Sequence, residues 1–176
     1  MTKKENGFSL IELLIVVAII LIIAAIAIPN LLRAKIAANQ AGAVGTLRTI
    51  SSAEQTFSST YNDGFALSLT QLGGPVGSKT CPNAGLIDEV LSTAPFQKSG
   101  YKYTFTPNGT VQLTAGVPAS CGVSGDTGFS VTATPVTANS TGIASYCIDE
   151  TGVVRVDAAG SAIPAPCSTS GFPPLQ

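Results

Sequence analysis

The amino-acid sequence predicts an α+β fold, a long N-terminal α-helix packed on an antiparallel β-sheet. Three observations predict it. From Leu13 to Ile28, sixteen consecutive residues carry neither a charge nor a strong hydrogen-bonding side chain. Apolar residues then recur at helical spacing as far as Tyr61, on an otherwise polar stretch. From Tyr101 onward, short segments alternate apolar with polar residues, the period of half-buried strands. A helix first and a run of strands afterwards is the order of an α+β layer.

The segment Phe8–Ile28 has 21 residues, roughly 31 Å as a helix at about 1.5 Å per residue, which matches a hydrocarbon core of about 30 Å. It contains one ionisable group, Glu12. A charge deep in a membrane helix costs on the order of 2.5–3.5 kcal/mol on insertion scales. Helix propensity offers no reason for a carboxylate there, so a partner is expected. Two plainer readings compete. Lys3, Lys4 and the apolar run, followed by Ala25-Ile26-Ala27, fit a secretory signal cut after Ala27. Against it, the run exceeds the usual apolar core of such a signal, Glu12 interrupts its front, and helical sequence continues beyond it. A single-span anchor explains the length but neither Glu12 nor the Gly7-Phe8 step. Lys3 and Lys4 favour a cytoplasmic N-terminus, although Arg33 and Lys35 beyond the span bring the charge count close to a tie.

The stretch Lys3-Lys4-Glu5-Asn6-Gly7-Phe8-Ser9-Leu10-Ile11-Glu12, with the apolar residues after it, resembles the N-terminus of type IV pilins and of the pseudopilins of type II secretion. The resemblance covers about the first 55–60 residues closely and the remainder only as a general pattern. It implies a pilin-like fold and a leader, residues 1–7, removed after Gly7 by an inner-membrane prepilin peptidase. Phe8 becomes the N-methylated first residue, Glu12 an assembly residue, and Pro29 the helix-bending proline. The implied organisation is a transmembrane and filament-core helix at 8–29 and an extracytoplasmic globular domain at 30–176. Within that domain we expect an amphipathic helix half at 30–61, a loop at 62–99, a sheet at 100–158 and a tail at 159–176. Cleavage creates an α-amine at Phe8, cationic near neutral pH. Opposite charges in apolar surroundings attract more strongly than in water. By resemblance Glu12 of one subunit meets the Phe8 amine of a neighbour; contact with the amine of its own chain, at i,i+4 spacing, is the competing solution.

Formal charge over the 176 residues is −1. Loss of residues 1–7 leaves seven basic and nine acidic residues, and no basic cluster points to nucleic acid. Cys81, Cys121, Cys147 and Cys167 all follow the apolar run, none in CxxC spacing. A zinc site at such separations is a poor fit, whereas two disulfides suit an oxidising space outside the cytoplasmic membrane. Three pairings are open; Cys147–Cys167 with Cys81–Cys121 is our expectation, and no local feature selects it.

Along the chain, Pro29 removes one helical hydrogen bond and crowds the preceding turn, so a kink or loosening is expected rather than a stop. Ile36, Ala43, Ile50 and Phe57 recur every seven residues, Leu47 and Tyr61 extend the same face, and this stripe is expected to meet the sheet. Gly42 and Gly45 weaken the helix by about 1 kcal/mol each relative to alanine. They serve a close helix–helix approach or are merely tolerated. Tyr61-Asn62-Asp63-Gly64 reads as the helix end, with Gly64 in the left-handed conformation. An irregular connection follows, in which Leu67, Leu69 and Leu72 cap the end of the sheet and Gly85–Leu91 form one or two helical turns. Tyr101, Tyr103 and Phe105 make a strand. Asn108-Gly109, with Val111, Leu113 and Ala115 beyond, signals a hairpin. Phe129, Val131 and Ala133, then Tyr146 and Ile148, then Val153, Val154 and Val156 make the remaining strands. One apolar and one polar face imply a sheet covered on one side, and Cys167 is expected to tie down the tail.

Catalysis finds little support. The absence of histidine excludes serine–histidine chemistry, and neither GxSxG nor a phosphate-binding glycine loop occurs. The absence of C-x-x-C-H argues against c-type haem, and no cofactor is expected. Asp149, Glu150 and Asp157 are candidate calcium ligands, but adjacent acids beside a turn are more often solvated. Asn108-Gly109-Thr110 and Asn139-Ser140-Thr141 fit the glycosylation sequon, which is common by chance. The expected function is a non-enzymatic filament subunit, a type IV pilin, with homo-oligomer neighbours, prepilin peptidase, a membrane platform protein and an assembly ATPase as the partners implied by resemblance. It would sit in the bacterial inner membrane first, then in a cell-surface pilus. The alternatives are a pseudopilin in a periplasmic pseudopilus and, less favoured, a membrane-anchored enzyme or binding module.

Overall fold

The computed structural model describes residues 8–62, 64–75, 80–109, 121 and 125–175. The leader, Asp63 and the expected strand at Val111, Leu113 and Ala115 lie outside the described residues. By its contacts the chain divides after Lys35 into an N-terminal unit and a larger one, Ile36–Gln176.

Helix α1 runs from Leu10 to Tyr61 and passes through Pro29 without losing its helical assignment. In the N-terminal unit its apolar side chains are bare: Phe8 is 84 % exposed, and Leu13, Ile20, Ile28 and Leu31 are all exposed as well. This helix is long and apolar enough to cross a membrane. An apolar surface left exposed all round is the pattern of a helix that meets lipid or other helices instead of a core of its own.

In the larger unit the second half of α1 supplies the stripe. Ile36 is buried; Ala43, Leu47, Ile50 and Phe57 are buried within one core cluster, and Tyr61 packs partly buried against that cluster. They face a five-stranded antiparallel sheet whose spatial order is its chain order: β1 Gln97–Lys98, β2 Tyr101–Pro107, β3 Phe129–Pro135, β4 Ser145–Asp149 and β5 Arg155–Asp157. The register places Tyr103 opposite Ala133 and Ala133 opposite Tyr146, so these side chains share the face that meets α1. Each fully buried side chain of this size contributes on the order of 1.5–3 kcal/mol. Phe129 anchors one end of that layer, stacked parallel with Phe105 at 6.2 Å and edge-on to Phe65 at 5.0 Å.

Four sequence expectations change. The first concerns the other face of the sheet, which is covered, not polar and open. Ser130 and Thr132 on β3 and Ser145, Cys147 and Asp149 on β4 are buried, because the C-terminal segment crosses over them. Ile163, Cys167 and Phe172 pack with Cys147 in a second, smaller cluster. The tail then pairs with β5: the Val156 N–H donates to Pro173 O at 3.1 Å and the Leu175 N–H to Val154 O at 2.7 Å. Alternation along one strand does not reveal a segment that arrives from elsewhere to cover its second face. Val153 and Val154, expected in the fifth strand, precede it.

The helix end differs too. Asn62, not Gly64, takes the left-handed conformation immediately after α1 (φ 50°), its N–H donating to Ser58 O at 2.9 Å. Asparagine tolerates this region better than other residues with a Cβ. Gly64 also has positive φ, 84°, for a different reason: a Cβ there would stand 2.4 Å from Asp126 O. That carbonyl pairs with the Phe65 N–H.

The connection after the helix contains two single turns, α2 Leu69–Leu72 and α3 Glu89–Ser92, capped by Ser68 and Asp88. Leu69, Leu72 and Leu91 enter the core. The helical turn therefore starts later than Gly85, where the Asp88 carboxylate can accept the Leu91 N–H at 3.0 Å. The strand expected after Asn108-Gly109 lies outside the described residues, and among those described β2 pairs with β3, residues 129–135. Gly42 does serve a close approach, but to Ser99 in the β1–β2 turn, whose Oγ would lie 3.1 Å from an added Cβ; nothing lies within 4 Å of one at Gly45.

Candidate functional site

The chemistry of the N-terminal unit is concentrated at the start of α1. Phe8 and Ser9 precede the helix and Leu10 begins it. The Ser9 carbonyl accepts the Leu13 N–H at 3.3 Å, the first intrahelical bond, which makes Ser9 the N-cap. Glu12, three residues on, reaches back: its Oε2 accepts the Ser9 N–H at 2.9 Å. Ser-x-x-Glu is the capping-box pattern, in which the third helical residue satisfies the cap residue's own amide. Sequence reasoning singled out Glu12 and overlooked Ser9, although Ser9-Leu10-Ile11-Glu12 before an apolar run is that very motif. Glu12 thus has a partner within its own chain, where propensity alone suggested none. Gly7, the expected cleavage-site residue, lies outside the described residues. Pro29 lies inside α1.

In the larger unit Cys81 pairs with Cys121 and Cys147 with Cys167, with Cα–Cα separations of 4.7 and 5.9 Å. The first ties the segment after α2 to the segment before β3. The second ties the tail to β4.

Two of the three candidate calcium ligands, Asp149 and Asp157, are already engaged, and Glu150 is exposed. Asp149 is fully buried; its Oδ1 accepts from the Thr151 N–H and hydroxyl and its Oδ2 from the Ser168 N–H at 2.7 Å. Asp157 accepts the Ala159 and Ser161 N–H groups, each at 2.9 Å. These carboxylates close turns and hold the tail, and among the described residues no cluster of three metal-ligating side chains forms. Of the two sequon asparagines, Asn108 donates from Nδ2 to Ser130 Oγ at 2.9 Å, whereas Asn139 is exposed in a turn. A groove of about 720 Å³ beside α3 is lined by Thr70, Asn83, Asp88, Glu89 and Ser92, among others. Its Asp88 carboxylate is spent on the Leu91 N–H and on Lys98.

One titrating group escaped the sequence reading. Glu54 is fully buried on the helix stripe, and burial pushes its carboxyl up to about 8, partly offset by the Ala66 N–H that it accepts. The signal was available, since position 54 falls on the face defined by Leu47, Ile50 and Phe57.

A lone carboxylate thus heads a bare apolar helix, and an α+β unit follows it. Residues 2–28 match the family model described as the prokaryotic N-terminal methylation motif. The chain is also 46 % identical over 54 residues to the type IV major pilin protein PilA of Myxococcus xanthus (strain DK1622), a stretch that is 31 % of this chain and 24 % of that protein. The chain thus matches about a quarter of that relative's length. No solved structure gives a match.

Proposed function

We propose that the chain is the structural subunit of a type IV pilus, held in the inner membrane by α1, cleaved and N-methylated by a prepilin peptidase between Gly7 and Phe8, and assembled helix against helix into a surface fibre. The observation that carries this reading is the methylation-type segment at the head of a helix whose large apolar side chains, from Phe8 to Leu32, are all exposed. In a fibre that surface would be buried by copies of itself, at roughly 25 cal/mol per Å² relative to water. Lipid contacts are lost in exchange, so the net gain is small and an assembly ATPase acting through a membrane platform protein supplies the work. In this reading Glu12 meets the amine of Phe8 on a neighbouring subunit, because a buried charge without a partner is heavily penalised. Pro29 provides local loosening for packing. The role is structural, not enzymatic.

Intact mass of the mature protein tests processing directly. Loss of residues 1–7 plus one methyl group is the expected result. A chain beginning at Ile28, as after a secretory signal, sinks the reading because Phe8, Glu12 and the apolar segment are then all removed.

The second reading is a pseudopilin of type II secretion, favoured by the resemblance of Tyr146–Val153 to sequences of that group. Electron microscopy of cells separates the two. Surface fibres that vanish on deletion support the pilus, and loss of protein secretion without loss of fibres supports the pseudopilus.

A further inference from the structure

We propose that the turn between β3 and β4, residues 136–144, rests on the lipid surface that α1 crosses, with Val136 and Ile143 as its lipid-facing side chains. These two are exposed at 46 % and 49 %, whereas β3 and β4 on either side are buried or half-buried. They stand three residues beyond the paired Ala133 and Tyr146 and so flank the turn. No residue from Val136 to Ile148 is charged, so nothing in this stretch opposes entry into a headgroup layer.

The turn is held at a fixed place on the helix. The Val136 N–H donates to Gly100 O at 3.0 Å, and the Tyr101 hydroxyl donates to Ala144 O at 2.8 Å. Asn39 on α1 donates from Nδ2 to Thr141 O at 2.8 Å. Asn39 follows Leu32, the last exposed large apolar residue of the span, by seven residues of α1, about 10 Å of helix. The polar layer outside the hydrocarbon is itself roughly 5–8 Å deep on each side. Exposed Arg33 and Lys35 lie within those seven residues, and cations there suit anionic headgroups. The lipid surface is therefore the apolar partner already within reach of Val136 and Ile143. The proposal rests on the membrane reading of α1, and it adds a second lipid contact that the subunit gives up on assembly.

The chain contains no tryptophan, so a single introduced one reports its own surroundings. Full-length Val136→Trp, Ile143→Trp, Val153→Trp and Ile20→Trp variants are placed in phosphatidylcholine–phosphatidylglycerol vesicles with plain or brominated acyl chains. Val153 is the exposed control at the opposite end of β4, and Ile20 lies in the span. A side chain about 5–10 Å into the headgroup boundary meets the bromines, so the expected result is emission lowered about twofold at 136 or 143 and unchanged at 153. Equal emission in both vesicles at 136 and at 143, with Ile20→Trp quenched, overturns the proposal and leaves the span standing. Unquenched Ile20→Trp sinks both. Quenching at Val153→Trp as strong as at the turn also overturns it, since the turn is then not the contact. A blue shift at 136 or 143 that bromines leave untouched, growing with protein-to-lipid ratio, assigns the patch to a second copy and overturns it as well.

Discussion

The carboxylate of Glu54 accepts the N–H of Ala66 at 2.8 Å, tying the last turns of α1 to the chain just after it. Glu54 Oε2 makes that bond, while among the described residues Oε1 is buried without a hydrogen-bond partner. An acid so placed holds its proton: folding raises its pKa from 4.5 to about 8.

The sign of the resulting pH dependence follows. The folded state binds this proton more tightly than the unfolded state, so Glu54's contribution favours folding most below about 4.5. It declines as pH rises from there to about 8, and levels off above. At roughly 1.4 kcal/mol per unit the loss is on the order of a few kcal/mol. Glu54→Gln keeps an acceptor for Ala66 and removes the titration. Urea unfolding of the detergent-solubilised chain, followed by tyrosine fluorescence, is expected to show the wild-type midpoint falling between pH 5 and pH 9 by clearly more than that of Glu54→Gln. Equal declines in both proteins would show that the carboxyl does not titrate in this window.

The Cys147–Cys167 bond closes a loop with a sequence separation of 20. Constraint of the unfolded chain over a loop of that size is worth about 3 kcal/mol. Replacing both cysteines by serine is expected to lower stability by roughly 2–4 kcal/mol and to raise exchange at Val156 and Leu175, whose amides join the tail to β5. Protection unchanged at those amides would mean that Ile163, Phe172 and the Asp149–Ser168 bond hold the tail without help.

Gly64 and Asn62 separate two kinds of backbone constraint. Asn62→Gly relieves a left-handed residue with a Cβ and is expected to leave stability within about 1 kcal/mol of wild type. Gly64→Ala introduces both a strained φ and a Cβ 2.4 Å from Asp126 O. It is expected to cost more than about 2 kcal/mol and to disrupt the Phe65–Asp126 pairing. Chemical unfolding of the two variants side by side checks the order; a mild Gly64→Ala would contradict the close approach.

Much of the fold was legible because its signals are local and periodic. The stripe Ile36, Ala43, Leu47, Ile50 and Phe57 repeats at the helical period, and Tyr101, Tyr103, Phe129, Val131 and Ala133 alternate at the strand period. The site was legible in part: Glu12 stood out as a charge among apolar residues, whereas Ser9 is ordinary in composition and matters through its backbone amide. Asp149 looked like an exposed acid beside a turn; its burial depends on Ser168, nineteen residues away.

From the sequence alone follow the apolar span, the helix face that meets the sheet, and the prepilin-type motif, since each is written in neighbouring residues. Only the tertiary structure decided that the tail covers the second face of β3 and β4, which cysteines pair, that Asn62 ends the helix, and that Glu54 is buried. Those outcomes depend on which distant segments come to lie together, and residue spacing carries no record of contacts made across such separations.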